Sequence, residues 1–368
     1  MVKSMQDIIK KYINYIVLLT SLSIVVFLPY QINAYRYLGP ILLGMSIISL
    51  RLNMITLKEL FTKYRFQTIA TIALLILSSV AFVPSTTGTL LLLYVTYLNQ
   101  ESTKPISVKL LLCFLYSLLV YLALISIHWK FSNIPWMGKP LNSNYIAVQI
   151  FVVFCLSVKL NSKFGKVLCF LLGVFISVRN IQLAIIVYSL STIPFISQRL
   201  TKKSVIFYFF ASGIVLFIGG QYFKDHKIQF PFINKDTYSI TVKESTLDSI
   251  SSTRLKLNNY FLDSFKESPS KFIFGQGNKY QGSPTIDVHN STLILVARNG
   301  LVFTVLYILL LTSHAFREKN EYSLSLLIAQ ITFSLFIHGA FETFPIIILV
   351  LTLNLPESLK TSSQLTRG

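Results

Sequence analysis

The sequence predicts an all-α polytopic membrane protein with about twelve spanning helices and one long outer loop that contains a helix. Three observations lead to this prediction. Of the 368 residues, 53% are hydrophobic and only 13% are charged, whereas a soluble domain carries about 25% charged residues. Apolar runs recur along the chain, and short basic segments separate them. One long polar segment, residues 221–288, interrupts this pattern in the second half of the chain.

Each apolar run is interpreted as one spanning helix. A span needs about 20 apolar residues, and local thinning of the bilayer accommodates the shorter runs. In chain order the runs are 13–28, 37–50, 67–83, 88–98, 108–127, 145–160, 164–178, 181–196, 204–220, 292–312, 323–338 and 343–355. They divide the chain into helices 1–9 (residues 1–220), an outer loop (221–288) and helices 10–12 (289–368).

Lysine and arginine residues predict the orientation of these helices, because cytoplasmic loops carry an excess of both residue types. Lys3, Lys10 and Lys11 precede the first run, which we expect to be an uncleaved span that starts in the cytoplasm. Every second loop is then basic, and the cations of these loops and of the C-terminal tail are Arg51, Lys58, Lys63, Arg65, Lys104, Lys109, Lys159, Lys163, Lys166, Arg199, Lys202, Lys203, Arg317, Lys319, Lys360 and Arg367. Both termini are therefore expected in the cytoplasm, and the segment 221–288 on the outer face.

The net charge of +19 follows from this topology and from contact with anionic membrane lipids. No aromatic-rich basic domain is present, so we predict no nucleic-acid partner. Cys113, Cys155 and Cys169 lie inside apolar runs, which disfavours both a disulfide framework and a metal site. The sequence has no metal-ligand spacing and no Walker loop, and we therefore expect neither a metal nor a cofactor.

The outer segment is much longer than an ordinary connection, which predicts that it has a function of its own. Apolar residues between positions 252 and 265 follow helical spacing, and the serine and threonine residues at the start can cap that helix. Gly275-Gln276-Gly277 then interrupts the chain before it returns to the membrane.

Polar residues are expected to converge on the outer ends of the helices. His289 and Asn290 open the tenth run, and a histidine, with a pKa of about 6.5, can act as a general base without a cofactor. Arg179, between two apolar runs, and Arg254, at the start of the loop helix, can each bind a phosphate group through two parallel hydrogen bonds. Further polar residues at this level are Asn144, Asn180, His338 and Glu342. An arginine that only snorkels to the interface and a polar residue that only begins a helix would give the same pattern. The functional and the purely structural interpretations of these residues therefore both stay open at this point.

These residues resemble a family of bacterial membrane glycosyltransferases, the O-antigen ligases and the O-antigen or capsule polymerases. The family pattern H-N-x-x-L-x-x-x-x-x-x-G-L is matched by His289, Asn290, Leu293, Gly300 and Leu301. The other matching segments are Asn142-Ser143-Asn144, Ser177-Val178-Arg179, Ser252-Thr253-Arg254-Leu255, Glu267-Ser268-Pro269 and Gly275-Gln276-Gly277. The chain departs from the family at Arg298, where many members have an acidic residue, and at Phe303, where a second glycine is common.

The resemblance implies a protein of the bacterial inner membrane that acts on its outer face without a metal or a cofactor. The donor would be an undecaprenyl-pyrophosphate-linked oligosaccharide, whose pyrophosphate Arg179 and Arg254 would bind. His289 would take the proton of the acceptor hydroxyl, and Asn290 would orient the imidazole or a sugar hydroxyl. The supporting residues would be Asn144, Arg298, His338 and Glu342.

Three functions fit this pattern. We favour a repeat-unit polymerase, whose acceptor is a second lipid-linked repeat unit and whose further partner regulates chain length. The first alternative is an O-antigen ligase, whose acceptor is the lipid A core. The second, from another class, is a flippase or transporter of lipid-linked oligosaccharides, which would show related halves and broken helices; the sequence indicates neither. An intramembrane protease is disfavoured, because no G-x-S-x-G element and no paired intramembrane aspartates are present.

Overall fold

A computed structural model describes residues 2–27, 43–44, 47, 57–80, 84–103, 106–132, 143–222, 269–277, 290–315, 321–335 and 344–353. The regular elements in these ranges are helical, and no strand is present in them. The all-α class that the sequence predicts is therefore confirmed for this part of the chain.

The helices follow the apolar runs closely. In chain order they are α1 (Val2–Phe27), α2 (Leu57–Thr62), α3 (Arg65–Val80), α4 (Pro84–Leu98), α5 (Val108–Phe131), α6 (Ser143–Lys159), α7 (Lys163–Phe175), α8 (Arg179–Ser191), α9 (Pro194–Ser197), α10 (Lys202–Tyr222), α11 (Pro269–Phe274), α12 (Ser291–Ala315), α13 (Glu321–Ser334) and α14 (Phe344–Leu353). A short 3-10 helix, Asn99–Ser102, follows α4. The run at 37–50 lies almost entirely outside the described residues, and the loop helix expected at 252–265 lies wholly outside them.

Two runs that were each expected to form one helix are interrupted. Most of the run at 181–196 forms α8, which ends at Ser191, and a separate helix, α9, begins at Pro194. A proline inside a helix lacks the N–H group and collides with the carbonyl four residues earlier, so α8 cannot continue through Pro194. The run at 292–312 lies in α12, which is broken at Gly300 with φ 87° and ψ 165°. The expectation that no helix of this chain is broken is therefore wrong.

Among the described residues, two helices have the length and hydropathy that a membrane span requires. They are Val108–Phe131, with a mean hydropathy of 2.6, and Ser291–Ala315, with a mean hydropathy of 2.1. Shorter apolar helices of 10–17 residues cover Lys11–Phe27, Arg65–Ser79, Thr86–Leu98, Ser143–Lys159 and Tyr322–Ser334. The criterion concerns length and composition only, and a buried core helix also satisfies it, so the number of spans stays a prediction.

Side-chain hydrogen bonds define the relative directions of the helices. Ser325, near the start of α13, donates to the carbonyl oxygen of Ser191 at the end of α8 (3.3 Å), so these two helices are antiparallel. Thr292, at the start of α12, shares a hydrogen bond with Ser334 at the end of α13 (3.2 Å). Short turns join α6 to α7 and α7 to α8, so α6 and α8 run in the same direction. The starts of α6, α8 and α12 therefore meet the end of α13 at one end of the bundle, which we call the site end.

Exposed cations collect at the opposite end, which we call the basic end. There, α12 finishes beside α3 and α4: Gln67 donates to Ser313 (3.5 Å), and the rings of Tyr97 and His314 lie 4.2 Å apart. The exposed cations of the basic end among the described residues are Lys58, Lys63, Arg65, Lys109, Lys163, Arg199, Lys202 and Lys203. The charge pattern of the sequence thus corresponds to one physical end of the bundle.

An aromatic cluster in the core holds α6, α8 and α13 at a common depth. Helix α6 is the central helix, and its residues 146–158 are all buried. Phe151 of α6 stacks on Phe333 of α13 with 4.7 Å between the ring centroids. One turn further along α6, Phe154 meets the ring of Tyr188 of α8 edge-on at 5.1 Å. Aromatic pairs in these geometries add about 1 kcal/mol each to the hydrophobic contribution of their burial.

Candidate functional site

The start of α12 is capped by Asn290, one of the two residues assigned to catalysis from the sequence. The backbone N–H of Leu293 donates to the Asn290 Oδ1 atom (3.0 Å), and that of Ile294 donates to its backbone carbonyl (3.0 Å). An asparagine in this position stabilises a helix start by about 1 kcal/mol relative to alanine. Asn290 is only 2% exposed, so the cap is buried. Its side-chain oxygen therefore has a structural partner that the sequence pattern did not suggest, and its Nδ2 group is the part that can serve a ligand.

The start of α8 presents Arg179 at the tip of a tight turn. Ser177 adopts a left-handed conformation with φ 57°, and the Val178 N–H donates to the carbonyl oxygen of Gly173 in α7 (3.2 Å). Gln182 Nε2 donates to the same carbonyl (3.1 Å), which ties the first turn of α8 to α7. Arg179 is exposed as the first residue of the helix. The turn therefore directs the chain so that the arginine stands at the site end.

Asn180 adds a buried amide beside this arginine. Its Oδ1 atom accepts a hydrogen bond from the Ile181 N–H (2.8 Å), and its side chain is 2% exposed. Its Nδ2 group has no hydrogen-bond partner among the described residues. A buried donor without a partner costs about 1–3 kcal/mol. The residue before α8, Val178, makes no side-chain cap, so the positive end of the helix dipole lies beside a cation and an amide donor.

Asn144, Arg179 and Asn290 occupy similar depths at the site end. Asn144 precedes Phe154 by ten residues and Arg179 precedes Tyr188 by nine, which corresponds to about 15 and 13 Å along parallel helices. The contact between Phe154 and Tyr188 therefore places Asn144 and Arg179 at nearly the same level. Asn290 lies two residues before Thr292, whose hydroxyl shares a hydrogen bond with Ser334 at the end of α13. Asn290 therefore lies within about 10 Å of the level of Asn144 and Arg179.

A backbone crossing of two glycines joins α11 to the break in α12. The Gly275 Cα faces the Arg298–Gly300 backbone, and a Cβ there would lie 2.5 Å from the Arg298 carbonyl oxygen and 2.7 Å from the Gly300 nitrogen. A Cβ on Gly300 would collide with the Ile273 carbonyl oxygen and lie 2.8 Å from the Gly275 nitrogen. Only glycine fits on either side of this contact.

The crossing also satisfies the backbone of the broken helix. The Gln276 N–H donates to the Ala297 carbonyl oxygen (2.6 Å), and the Thr304 hydroxyl donates to the Gly300 carbonyl oxygen (2.9 Å). Gly300 adopts backbone angles that are essentially restricted to glycine. The side chains of Ile294, Val296 and Ala297 form a small apolar cluster with Phe272 of α11 and with Leu293. The first half of α12 is thus held by α11 as well as by the bundle.

Arg298 and Asn299 lie at this break, at a distance from Asn290. Arg298 is half-buried and follows Asn290 by eight residues, about 12 Å along the helix. Asn299 is 2% exposed, and its Oδ1 atom has no hydrogen-bond partner among the described residues. The structure therefore associates Arg298 with the helix break, whereas Asn144, Arg179 and Asn290 lie at similar depths near the site end.

Four of the residues proposed from the sequence lie outside the described residues: Arg254, His289, His338 and Glu342. In the sequence, His289 directly precedes Asn290, and His338 follows Ser334, the last residue of α13, by four residues. Within the described ranges, no group of three or more His, Cys, Asp and Glu side chains could hold a metal ion. The contact between Gly275 and Gly300 was missed by sequence reasoning, although both glycines were noted separately.

Comparisons with protein-family models, with curated proteins and with solved structures find no match to this chain. The resemblance described above therefore depends on the sequence motifs alone.

Replacing Gly300 by alanine is expected to destabilise the protein by on the order of 3 kcal/mol, because the new methyl group meets α11 backbone and the backbone angles become strained. Gly275→Ala should have a similar effect. Thermal unfolding of the purified full-length protein in detergent, followed by circular dichroism, measures both changes. Gly213→Ala is the matched control, because a Cβ there meets no atom within 4 Å. A Gly300→Ala protein as stable as the control would contradict the proposed crossing.

Proposed function

We propose that this chain is an integral membrane glycosyltransferase of the bacterial inner membrane, and specifically a polymerase of lipid-linked polysaccharide repeat units. The observation that carries the proposal is the common location of Asn144, Arg179 and Asn290 at the site end. These residues come from three separate motif segments, which the helix directions bring to one end of the bundle. The basic end lies opposite, and by the positive-inside rule this supports an outer-face location for the site end.

An exposed apolar face on α5 and α7 supports the membrane location. Along α5, Val120, Leu124 and Ile127 are 61%, 55% and 50% exposed, and they recur at helical spacing. The parallel stripe on α7 consists of Phe164, Val167, Leu171 and Val174. Monomeric soluble proteins rarely expose a continuous apolar patch of more than a few hundred Å². A lipid environment removes the cost of such a face.

The length of this face also fits a bilayer. Leu110 near the start of α5 and Phe131 at its end are both exposed, and their separation of 21 positions along the helix corresponds to about 31 Å. The hydrocarbon core of a bilayer is about 30 Å thick. We therefore retain the twelve-span topology with both termini in the cytoplasm, in which α5 is one span and the segment 221–288 is an outer loop.

The proposed reaction uses the lipid carrier pyrophosphate as an activated leaving group. The acceptor hydroxyl oxygen attacks the anomeric carbon of the donor glycan, and the bond from that carbon to the pyrophosphate oxygen breaks. His289 takes the proton of the hydroxyl group, and the electron pair of the broken bond leaves on undecaprenyl pyrophosphate. Arg179 and Arg254 stabilise the negative charge that develops on the pyrophosphate. Electrostatic stabilisation of this kind is usually the largest single contribution to catalysis. No metal or nucleotide takes part.

The described geometry adds two elements to this mechanism. The positive end of the α8 dipole lies beside Arg179, the first residue of that helix, so an anion there would be bound by the guanidinium charge and by the helix start together. The Asn290 cap fixes the first turn of α12, and His289 is the residue directly before that cap. The proposed base therefore adjoins, in the sequence, a helix start that a buried cap holds in place.

The ligase alternative shares this chemistry and differs in the acceptor, the lipid A core. The composition of the surface glycan in a deletion strain distinguishes the two enzymes. Single repeat units on the core indicate loss of a polymerase, whereas unmodified core with accumulated lipid-linked polymer indicates loss of a ligase. We expect the first result.

The transporter alternative gains one observation, the break in α12. Transporters use broken helices whose free backbone groups bind substrates or ions near the middle of the membrane. In this chain the carbonyl oxygens of Ala297 and Gly300 beside the break are bonded to Gln276 and Thr304. These two carbonyl oxygens thus have hydrogen-bond partners within the protein, which favours the enzyme over a transporter.

His289→Ala is expected to lower glycan polymerisation by at least about 100-fold, because a positioned general base contributes 10²–10⁴ to a rate. The measurement is the length distribution of the surface polysaccharide in a deletion strain that expresses the variant, with protein levels quantified by immunoblot. His128→Ala is the control, since His128 lies in the last turn of α5 and has no role in the mechanism. Wild-type polymer from His289→Ala at normal protein levels would exclude the proposed base.

Arg179→Lys is expected to reduce polymerisation by about tenfold or more, because lysine keeps the charge and loses the two parallel hydrogen bonds. Lys130→Gln serves as the matched control, because Lys130 is another exposed cation near the same end of the bundle. In vitro turnover of a lipid-linked repeat unit by purified protein measures the effect. Full activity in Arg179→Lys would mean that positive charge, and not the fork of the guanidinium group, is what the site requires.

Asn290 can be tested so that capping and ligand binding are separated. Asn290→Asp keeps an oxygen that caps α12, whereas Asn290→Ala loses about 1 kcal/mol of helix stability. If the Nδ2 group contacts the imidazole or a sugar hydroxyl, Asn290→Asp should retain the unfolding temperature and lose polymerisation. Full activity in Asn290→Asp together with reduced stability in Asn290→Ala would assign Asn290 to capping alone.

A further inference from the structure

An apolar groove lies at the basic end, between α8 and α10. It has a volume of about 620 Å³, and its wall is formed mainly by the side chains of Val187, Leu190, Ile196, Leu200, Phe207 and Ala211. Small-molecule sites in proteins have volumes of about 300–1,000 Å³. The groove is therefore large enough to hold part of a lipid chain.

Most polar groups of the groove wall are hydrogen-bonded to other groups of the protein. The Ser191 hydroxyl donates to the Tyr188 carbonyl oxygen (2.7 Å), and the Tyr208 hydroxyl shares a hydrogen bond with Thr332 of α13 (2.8 Å). The Ser204 hydroxyl shares a hydrogen bond with the Thr201 hydroxyl (2.9 Å). Since these groups have protein partners, the surface that the groove offers to an occupant is apolar.

A cation stands at the mouth of the groove. Lys203 lines it and is exposed, and Lys202 and Arg199 are exposed nearby on the same segment. The guanidinium of Arg199 lies 4.0 Å from the centre of the Phe195 ring, and Phe195 itself is 65% exposed. Exposed aromatic and basic side chains side by side are typical of a segment at the interface between lipid headgroups and hydrocarbon.

We propose that this groove binds one acyl chain of an anionic phospholipid of the cytoplasmic leaflet, with the lipid phosphate at Lys203. This inference depends on the proposed membrane location and adds a second lipid site to it. The apolar groove suits a hydrocarbon chain, and the cation at its mouth suits an anion. An anionic phospholipid carries both groups, with its phosphate beyond one end of the acyl chain. The leaflet follows from the basic end, which the positive-inside rule places in the cytoplasm.

The groove is separate from the site of the carrier lipid pyrophosphate. Leu190 and Ser191 of its wall follow Arg179 by 11 and 12 residues, which corresponds to about 17 Å along α8. A phosphate at Lys203 would thus lie near the C-terminal end of α8, whereas a pyrophosphate at Arg179 would lie at the N-terminal end of that helix. A lipid in the groove would contact α8, α10 and α13 at once, because Ile328 of α13 also lines it.

Quenching of a tryptophan by brominated lipids tests this proposal. The full-length protein carries Phe207→Trp as the reporter, since Phe207 lines the groove and is 74% exposed, and its two native tryptophans, Trp129 and Trp136, are replaced by phenylalanine. The protein is reconstituted into vesicles that contain dibromo-phosphatidylglycerol or dibromo-phosphatidylcholine at the same fraction. We expect the relative binding constant for phosphatidylglycerol to be about fivefold higher, from one lysine near the membrane surface.

Two variants and one control make the test specific. Lys203→Gln should abolish the preference, so that the two lipids bind about equally. Lys109 is an exposed cation at the same end that does not line the groove, and Lys109→Gln should leave the preference unchanged. Ala211→Phe fills the groove and should also remove the preference, although it changes no charge. A preference that persists in Ala211→Phe would mean that lysine attracts lipid at the surface, which overturns the groove.

The remaining outcomes separate this inference from the proposed function. Equal and strong quenching by both lipids in the parent protein would overturn the groove and leave the membrane location intact. Absence of quenching by either lipid would contradict the membrane location itself. Retention of the full preference in Lys203→Gln would overturn the assignment of the headgroup site.

Discussion

The contact on which the architecture of the site depends is the crossing of Gly275 and Gly300. Two backbone segments that are 25 residues apart approach so closely that neither tolerates a Cβ atom. The Gln276 N–H bonds to the carbonyl oxygen of Ala297 at the same point, so the crossing supplies a partner to a carbonyl group beside the break in α12. This matters most in a membrane, where each such group without a partner costs several kcal/mol. The crossing therefore makes a broken helix tolerable there and supports the half of α12 that begins at Asn290.

The second constraint is the direction of the helices. Because α6, α8 and α12 start at one end of the bundle, the positive ends of their dipoles point the same way. Polar residues at these starts are then neighbours in depth although they are far apart in the chain. The exposed lysines and arginines collect at the opposite end, where the apolar groove lies beside Lys203. One arrangement of helices thus separates the proposed pyrophosphate site from the proposed phospholipid groove, and α8 extends from one to the other.

The elements that sequence reasoning predicted well are those that depend on local composition. Among the runs that fall within the described residues, each corresponds to a helix, since an apolar segment of this length has few other ways to satisfy its backbone. The errors lie where a single residue outweighs composition. Pro194 divides the run at 181–196, and Gly300 divides the run at 292–312, although hydropathy continues through both. Asn290 was recognised as important, yet the partner of its side-chain oxygen is the backbone of α12, which the motif alone does not reveal.

The sequence by itself determined the helical class, the positions of the apolar runs and the asymmetry of charge, because hydropathy and charge are properties of short segments and act without reference to the rest of the chain. Only the tertiary structure decided that Asn144, Arg179 and Asn290 share one end of the bundle, that Gly275 meets Gly300, and that α8 and α10 leave a groove between them. Each of these depends on which helices pack together and in which direction. Packing is a property of pairs of distant segments, so no window of sequence contains it.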